Sequence, residues 1–353
     1  MLRRTLLYAS IALAGACSAV HAQSILTLPE ASQRALVGQR IGLTDITIAY
    51  HRPLAGTRKI WGGLVPYGQV WRAGANENTT IEFSTPVSVE GKPLAKGIYG
   101  LHMIPDTDSW TVIFSNNSSS WGSFTYNQAE DALRVSVKPQ PSEMHNALTY
   151  DFDDVKPGSA VVKLQWEKVA VPFTVAANET EVTLASLRNE LRGGKQYVWE
   201  GPAEAAQYCL TNKVAYEEGL AWANKSIAIE ERFDNLILKA DLLKALNHES
   251  ESASVRDKAM SAANVTQIYF YARGLQAQNQ PDQALEIFKV TVKRFPDHWL
   301  GHMAAARLAS ASGDYTAALK EVKIVQGMEI PEAQKANLVN LTRRLENKED
   351  INR

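Results

Sequence analysis

The chain is poor in cysteine and has no excess of charge of either sign. Only two of its 353 residues are cysteines, and Cys17 lies in the N-terminal segment treated below, so the remainder of the chain contains a single thiol, Cys209. One cysteine cannot form an internal disulfide and is a poor basis for a zinc site. The 37 Lys and Arg residues against 38 Asp and Glu residues give a net charge of −1. Because phosphate binding usually requires a basic excess, we do not expect a nucleic-acid partner.

Long apolar runs and the familiar catalytic motifs are also missing. No apolar run after residue 22 is long enough to span a bilayer, so we expect no transmembrane segment in the mature chain. The absence of Gly-x-Ser-x-Gly, phosphate-loop and His-Glu-x-x-His patterns excludes the common hydrolases and nucleotide enzymes that carry them. Glycosidases need only two carboxylates and leave no short motif, so they stay open. A composition of 45% apolar and 21% charged residues is typical of a folded protein, and 353 residues suggest about two domains.

The N-terminus has the pattern of a secretory signal peptide. Arg3 and Arg4 precede an apolar stretch over residues 6–14, and small residues lead to a cleavage position after Ala22. The stretch is too short for a membrane anchor. The sequence therefore predicts a signal peptide over residues 1–22 and a periplasmic or secreted protein. The alternative is a lipoprotein acylated at Cys17.

The first half of the mature chain has the pattern of an antiparallel β-sandwich. Short segments in which apolar and polar residues alternate are separated by polar turns, and no helix is indicated between them. We predict this domain over residues 24–175. About nine strands are indicated, at residues 46–50, 80–84, 87–89, 97–104, 110–114, 133–137, 148–152, 161–166 and 169–175.

In the second half, apolar residues recur at intervals of three and four, which predicts helices. Two successive windows of 34 residues, Val265–His298 and Trp299–Glu332, align with alanine at the same two positions of each. These alanines are Ala272 and Ala306 at position 8, and Ala284 and Ala318 at position 20. The pattern resembles the tetratricopeptide repeat, in which small residues let paired helices approach closely. We predict a linking helix and linker over residues 176–200, and an α-helical solenoid of such repeats with a capping helix over residues 201–348.

One stretch of the first half resembles a known family. Residues 58–80 contain the core Trp-Arg-x-Gly-x-Asn-Glu, and Ala95–Gly100 and the pair Trp121-Gly122 accompany it. Together these motifs resemble DUF2911, a family named for its lack of an assigned function, over residues 24–175. The resemblance implies an exported bacterial protein with helical repeats behind the domain. It implies no reaction, cofactor or catalytic residue.

The core of this stretch also supplies the candidate ligand-binding residues. The charges and amides of Arg72, Asn76 and Glu77 cannot be buried without partners. In one interpretation they form a polar site at one end of the sandwich, where Arg72 binds an anion or a sugar hydroxyl. In the other they only hold a loop, through an Arg72–Glu77 ion pair and a bond from Asn76 to the backbone. Arg52 and Arg58 are open to the same two interpretations.

No metal or cofactor is expected from the sequence. His51, His102 and His145 could supply three nitrogen ligands, but no spacing or carboxylate pattern links them. We therefore expect unrelated core or surface histidines. No catalytic residue is indicated.

Two hypotheses of function follow. The first is an exported, non-catalytic protein that joins a β-sandwich recognition domain to repeats that bind a protein or peptide. The second is a cell-envelope enzyme or carbohydrate-binding module, with a site for an envelope glycan around Arg72, Asn76 and Glu77. A fold by itself does not decide between them.

Overall fold

The computed structural model describes residues 29–352, which form two compact units that divide between Thr183 and Leu184. The first unit consists of antiparallel sheets, and the second consists of consecutive helices. This arrangement confirms the predicted combination of a β-sandwich with a helical C-terminal domain. The predicted signal peptide lies outside the described residues.

Two antiparallel sheets make up the first unit. Its strands are β1 (Gln33–Ile41), β2 (Thr44–Arg52), β3 (Thr80–Phe83), β4 (Val87–Val89), β5 (Lys92–Leu94), β6 (Gly97–Ile104), β7 (Trp110–Ser115), β8 (Asp131–Val137), β9 (Gln140–Lys156) and β10 (Ser159–Ala176). One sheet has six strands in the order β1-β2-β3-β6-β7-β8, and the other has four in the order β5-β4-β10-β9. Alternate residues of the strands point into a shared core, and on β2 these are Ile46, Ile48 and Tyr50. Tyr50 packs edge-on against Tyr150 of β9, with the ring centroids 4.8 Å apart.

A cluster of tryptophans joins the two sheets to the long loop between β2 and β3. Trp61, in that loop, lies edge-on to Trp71, to Trp110 of β7 and to Trp166 of β10, with ring centroids 5.8, 4.9 and 5.7 Å away. Trp71, from the same loop, stacks on Trp166 at 5.9 Å. Aromatic pairs at these separations add to the free energy that burial of their area contributes. The loop is therefore anchored to the core from inside.

Two strands differ from the prediction, because pairing with a neighbouring strand has more influence there than the local sequence. Strand β1 was not predicted, because most of its side chains are partly or fully exposed and its apolar residues do not alternate cleanly. It is held by pairing with β2 along its whole length. The two strands predicted at residues 161–166 and 169–175 are one strand, β10. The ladder with β9 shifts register around Glu167, whose φ of 56° accommodates a bulge, and then continues.

Ten α-helices follow within the described part of the chain. They are α1 (Glu179–Glu190), α2 (Glu200–Asn212), α3 (Tyr216–Ile229), α4 (Phe233–Ala245), α5 (Glu249–Ala262), α6 (Val265–Ala277), α7 (Pro281–Arg294), α8 (Trp299–Ala311), α9 (Tyr315–Gln326) and α10 (Glu332–Glu346). From α2 to α9 they pack as successive antiparallel pairs, and α10 packs on α9. The four alanines aligned by the 34-residue windows, Ala272, Ala284, Ala306 and Ala318, are all fully buried. The helical stack is consistent with repeats. None of these helices is long and apolar enough to cross a lipid bilayer.

The tryptophan cluster gives a first testable prediction. Trp61→Ala should lower the free energy of unfolding of the first unit by about 3–5 kcal/mol, because it leaves a cavity between the sheets and the loop. Trp121→Ala is the control, since Trp121 is 47% exposed, and its cost should stay below about 1 kcal/mol. Urea denaturation followed by circular dichroism and tryptophan fluorescence measures both. Equal effects of the two substitutions would contradict the anchoring role of Trp61.

Candidate functional site

The loop between β2 and β3 carries the candidate residues and has a fixed backbone. Trp71 exchanges two backbone hydrogen bonds of 2.8 Å with Met103, which joins the loop to β6 of the six-stranded sheet. Beyond it, Ala73 and Asn76 adopt left-handed backbone conformations with φ of 49° and 57°. Gly74 between them has no room for a side chain, because a Cβ there would lie 2.5 Å from Oγ1 of Thr79. Residues 72–79 are therefore held in one tight conformation.

The floor beneath this loop is the outer face of the six-stranded sheet. Since Tyr50 and Leu101 point into the core, their neighbours His51 on β2 and His102 on β6 point to the opposite face. Both histidines are nevertheless buried, at 8% and 3% exposure, because loops cover them. The segment after β7 lies so close to this face that a Cβ on Gly100 would collide with the carbonyl oxygen of Asn117.

Two carboxylates and an amide meet at His51. Oε2 of Glu30, which precedes β1, lies 3.2 Å from Nε2 of His51, and Oε2 of Glu77 lies 3.4 Å from Nδ1. The side-chain amide of Asn76 donates a hydrogen bond of 2.5 Å to Oε2 of Glu30. The His51 side chain is 10% exposed, whereas those of Glu30 and Glu77 are 48% and 57% exposed. The result is a buried imidazole beneath two carboxylates that border on solvent.

Arg72 occupies the other side of the same loop. Its Nη1 donates a hydrogen bond of 2.5 Å to the carbonyl oxygen of Asn76, and partial burial lowers its pKa from the ordinary value. The guanidinium lies 5.1 Å from the ring centre of Trp121 and 5.8 Å from that of Phe124, and these rings stack on each other at 5.7 Å. The Arg72–Glu77 ion pair considered from the sequence is not formed, since Glu77 contacts His51 instead.

The remaining two candidates form hydrogen bonds at other points of the domain. Arg52, at the end of β2, donates hydrogen bonds of 3.0 Å to the carbonyl oxygen of Leu148 and of 2.7 Å to Oγ1 of Thr149, both on β9 of the other sheet. Arg58 donates to the carbonyl oxygens of Leu54 and Ala55 within its own loop. The structure therefore brings Arg72, Asn76 and Glu77 together on one loop, and gives Arg52 and Arg58 contacts that hold strands and loop in place.

The three histidines considered as metal ligands have separate partners. Nδ1 of His102 lies 2.9 Å from Oγ of Ser123, and burial lowers the His102 pKa to about 4. His145 contacts the side chain of Gln165 at 3.1 Å. Among the residues that the structure describes, the three rings do not converge on one point.

The residue that sequence analysis missed is Glu30. It is 46 positions from Asn76 in the chain, and no motif links the two. For His51 a signal was present: the alternation of β2 places it on the face opposite Ile48 and Tyr50. That signal predicts the face of the sheet to which the His51 side chain points, but not the carboxylates that it contacts.

Comparison with known proteins agrees with the motifs. Residues 32–175 match the family model of DUF2911, described as a protein of unknown function. The N-terminal domain is a DUF2911 domain. The match includes His51 and the loop with Arg72, Asn76 and Glu77, whereas Glu30 lies two residues before its start. No curated protein matches the chain.

A second concave surface lies in the helical unit, apart from the DUF2911 domain. The first helices of three successive pairs, α2, α4 and α6, line a groove of about 930 Å³. Its apolar wall includes Leu210, Phe233, Ile237, Phe270 and Tyr271. The rings of Phe233 and Tyr271 pack edge-on at 5.8 Å, so side chains from α4 and α6 meet at its base.

The buried His102 predicts a pH dependence of stability. Its pKa in the folded chain is about 4, below the ordinary 6.5, so the unfolded chain takes up the proton first as the pH falls. The stabilising effect is complete above pH 6.5 and is lost towards pH 4, by on the order of 3 kcal/mol. His102→Asn should flatten this part of the profile in urea denaturation. Ser123→Ala is the control and should keep the dependence, because burial and not the hydrogen bond lowers the pKa. An NMR titration of His102 centred near pH 6.5 would contradict this prediction.

Proposed function

We propose that this chain is an exported recognition protein whose helical unit binds an extended peptide in the groove of α2, α4 and α6. The proposal depends on one observation: three successive helix pairs each turn a face of their first helix into the same groove. The 34-residue period and the buried alanines support helical repeats of the tetratricopeptide type. In such stacks the concave surface is the one that binds partners.

The lining of the groove suits the side chains and the backbone of a peptide. Phe270 is 51% exposed, although it is a large apolar residue on a concave surface. Exposed aromatic side chains in such positions are typical binding anchors. Gln207 of α2 and Gln278 at the end of α6 also line the groove, and their amides both donate and accept hydrogen bonds. An extended chain offers backbone groups that match them.

The charges favour a peptide with a basic residue beside its apolar ones. Asp241 is already paired with Arg256 at 2.7 Å. Asp234 is exposed at the start of α4 and forms no ion pair within residues 29–352. Lys213 is the one basic residue among those that line the groove in the described chain. A lysine or arginine of the ligand would therefore meet the Asp234 carboxylate, with apolar neighbours on Phe233 and Phe270.

A peptide-display selection on the full chain tests this proposal. Enriched peptides should combine apolar side chains with a lysine or arginine, and fluorescence anisotropy gives their Kd. Phe270→Glu should weaken binding at least about 10-fold, which is about 1.4 kcal/mol, by placing a charge in the apolar wall. Val339→Glu is the matched control, since Val339 is 70% exposed on α10 and outside the groove. Binding that survives Phe270→Glu, or that both substitutions weaken equally, would place the peptide elsewhere.

The export part of the proposal has its own test. In a bacterial host the mature chain should begin at Gln23, because the arginines, the apolar stretch and the small residues before it form a signal peptide. N-terminal sequencing and intact mass measure this. Cys17→Ser should leave export unchanged. A chain that retains Met1, or one that carries lipid on Cys17, would contradict cleavage after Ala22.

A further inference from the structure

We propose that Glu30, His51 and Glu77 of the DUF2911 domain form a binding site for a divalent transition-metal ion such as Zn²⁺ or Mn²⁺. One donor atom from each of the three side chains lies within 4.8 Å of the other two. This is the one group of its kind among the residues that the structure describes. The site lies on the outer face of the six-stranded sheet, and the proposal is independent of the peptide groove.

The position of the His51 ring between two carboxylates gives the first argument. Each ring nitrogen faces a carboxylate, Nε2 towards Glu30 and Nδ1 towards Glu77. A neutral imidazole carries only one N–H, so one of its nitrogens would direct a lone pair at a carboxylate oxygen. A metal ion bound to that nitrogen would remove this contact, because the lone pair would then bind the ion and the other nitrogen would carry the N–H.

The distances favour the metal ion. Hydrogen bonds between an imidazolium and a carboxylate are about 2.7–2.9 Å long. The two contacts of His51 are longer, at 3.2 and 3.4 Å. Donor atoms bound to one tetrahedral ion at 2.0–2.2 Å lie about 3.4 Å from each other. The contact of Glu30 with Nε2, at 3.2 Å, matches that spacing. Glu77 contacts the other ring nitrogen, and its half-exposed side chain would have to rotate to bind the same ion.

The donor set indicates the class of ion. One imidazole nitrogen with two carboxylate oxygens suits Zn²⁺, Mn²⁺ and Fe²⁺, whereas Ca²⁺ and Mg²⁺ prefer sites built from oxygen alone. The exposed glutamates leave one side of the site open to water. The amide of Asn76, bonded to Glu30, is placed to orient that carboxylate.

The position of the three residues predicts a stabilising effect. Glu30 belongs to the segment before β1, His51 to β2 and Glu77 to the following loop. An ion held by all three would add a further link between these segments, beside the pairing of β1 with β2. Because the site does not exist in the unfolded chain, binding should raise the Tm.

The test uses the full chain, freed of metal by chelator and dialysis, and the metal salt alone as the probe. Isothermal titration with ZnCl₂ or MnCl₂ at pH 7.5 should show one ion per chain and a raised Tm. His51→Gln and Glu77→Gln should each weaken the affinity about 100-fold, since each removes a ligand. His145→Gln is the matched control, because His145 contacts Gln165 and no carboxylate of this site, and it should bind as the parent does.

Several results would overturn the proposal. The first is the absence of saturable binding at one ion per chain. The second is parental affinity in either ligand variant, which would mark an adventitious ion only. Tighter binding of Ca²⁺ or Mg²⁺ than of Zn²⁺ or Mn²⁺ would refute the class of ion. Circular dichroism of Glu77→Gln, whose side chain is 57% exposed, checks that lost binding is not lost folding.

Discussion

The packing of Trp61 against three other tryptophans is the interaction on which the candidate site depends. Trp110 and Trp166 belong to opposite sheets, and Trp61 and Trp71 belong to the loop that joins β2 to β3. Four large rings that contact one another through Trp61 leave this loop little freedom, because each ring buries a large area and accepts few orientations. The anchored half of the loop then determines where the polar half, with Asn76 and Glu77, begins. A core interaction in this way positions groups that lie outside the core.

The polar half of the loop has a fixed backbone and a side chain that is accessible to solvent. Its backbone includes two left-handed residues and is held by the hydrogen bond from Oγ1 of Thr79 to the carbonyl oxygen of Ala73, while the Glu77 carboxylate reaches solvent. His51, in contrast, belongs to strand β2 and is buried beneath the loops. A buried donor flanked by exposed acidic groups differs from an ordinary surface ion pair, which is mobile and contributes little to stability. Arg72 is held separately, by the carbonyl oxygen of Asn76 and the rings of Trp121 and Phe124, so the two sides of the loop are stabilised independently.

In the helical unit, the spacing of small and apolar residues along the chain determines most of the architecture. Alanines at matching positions allow close approach within each pair, and pairs stack on their neighbours. The groove arises where the first helices of three pairs face the same side. Side chains, above all Phe233, Tyr271 and Arg256, join α4, α5 and α6 there. The groove is therefore lined by residues that are not fully buried in the packing between the helix pairs.

Most of the secondary structure was predictable from the sequence, since the spacing of apolar residues and the placement of glycine and proline act locally. The strand at 97–104, the helix pairs and the motifs of the DUF2911 domain are of this kind. Strand β1 was not, because most of its side chains are partly or fully exposed and its apolar residues do not alternate cleanly. The contacts of Glu30 and Glu77 with His51 could not be predicted from the sequence either. The sequence by itself determined which residues form strands and helices and which family the first domain belongs to. Only the tertiary structure decided which distant side chains meet, because strand pairing and loop closure join positions whose separation along the chain carries no signal.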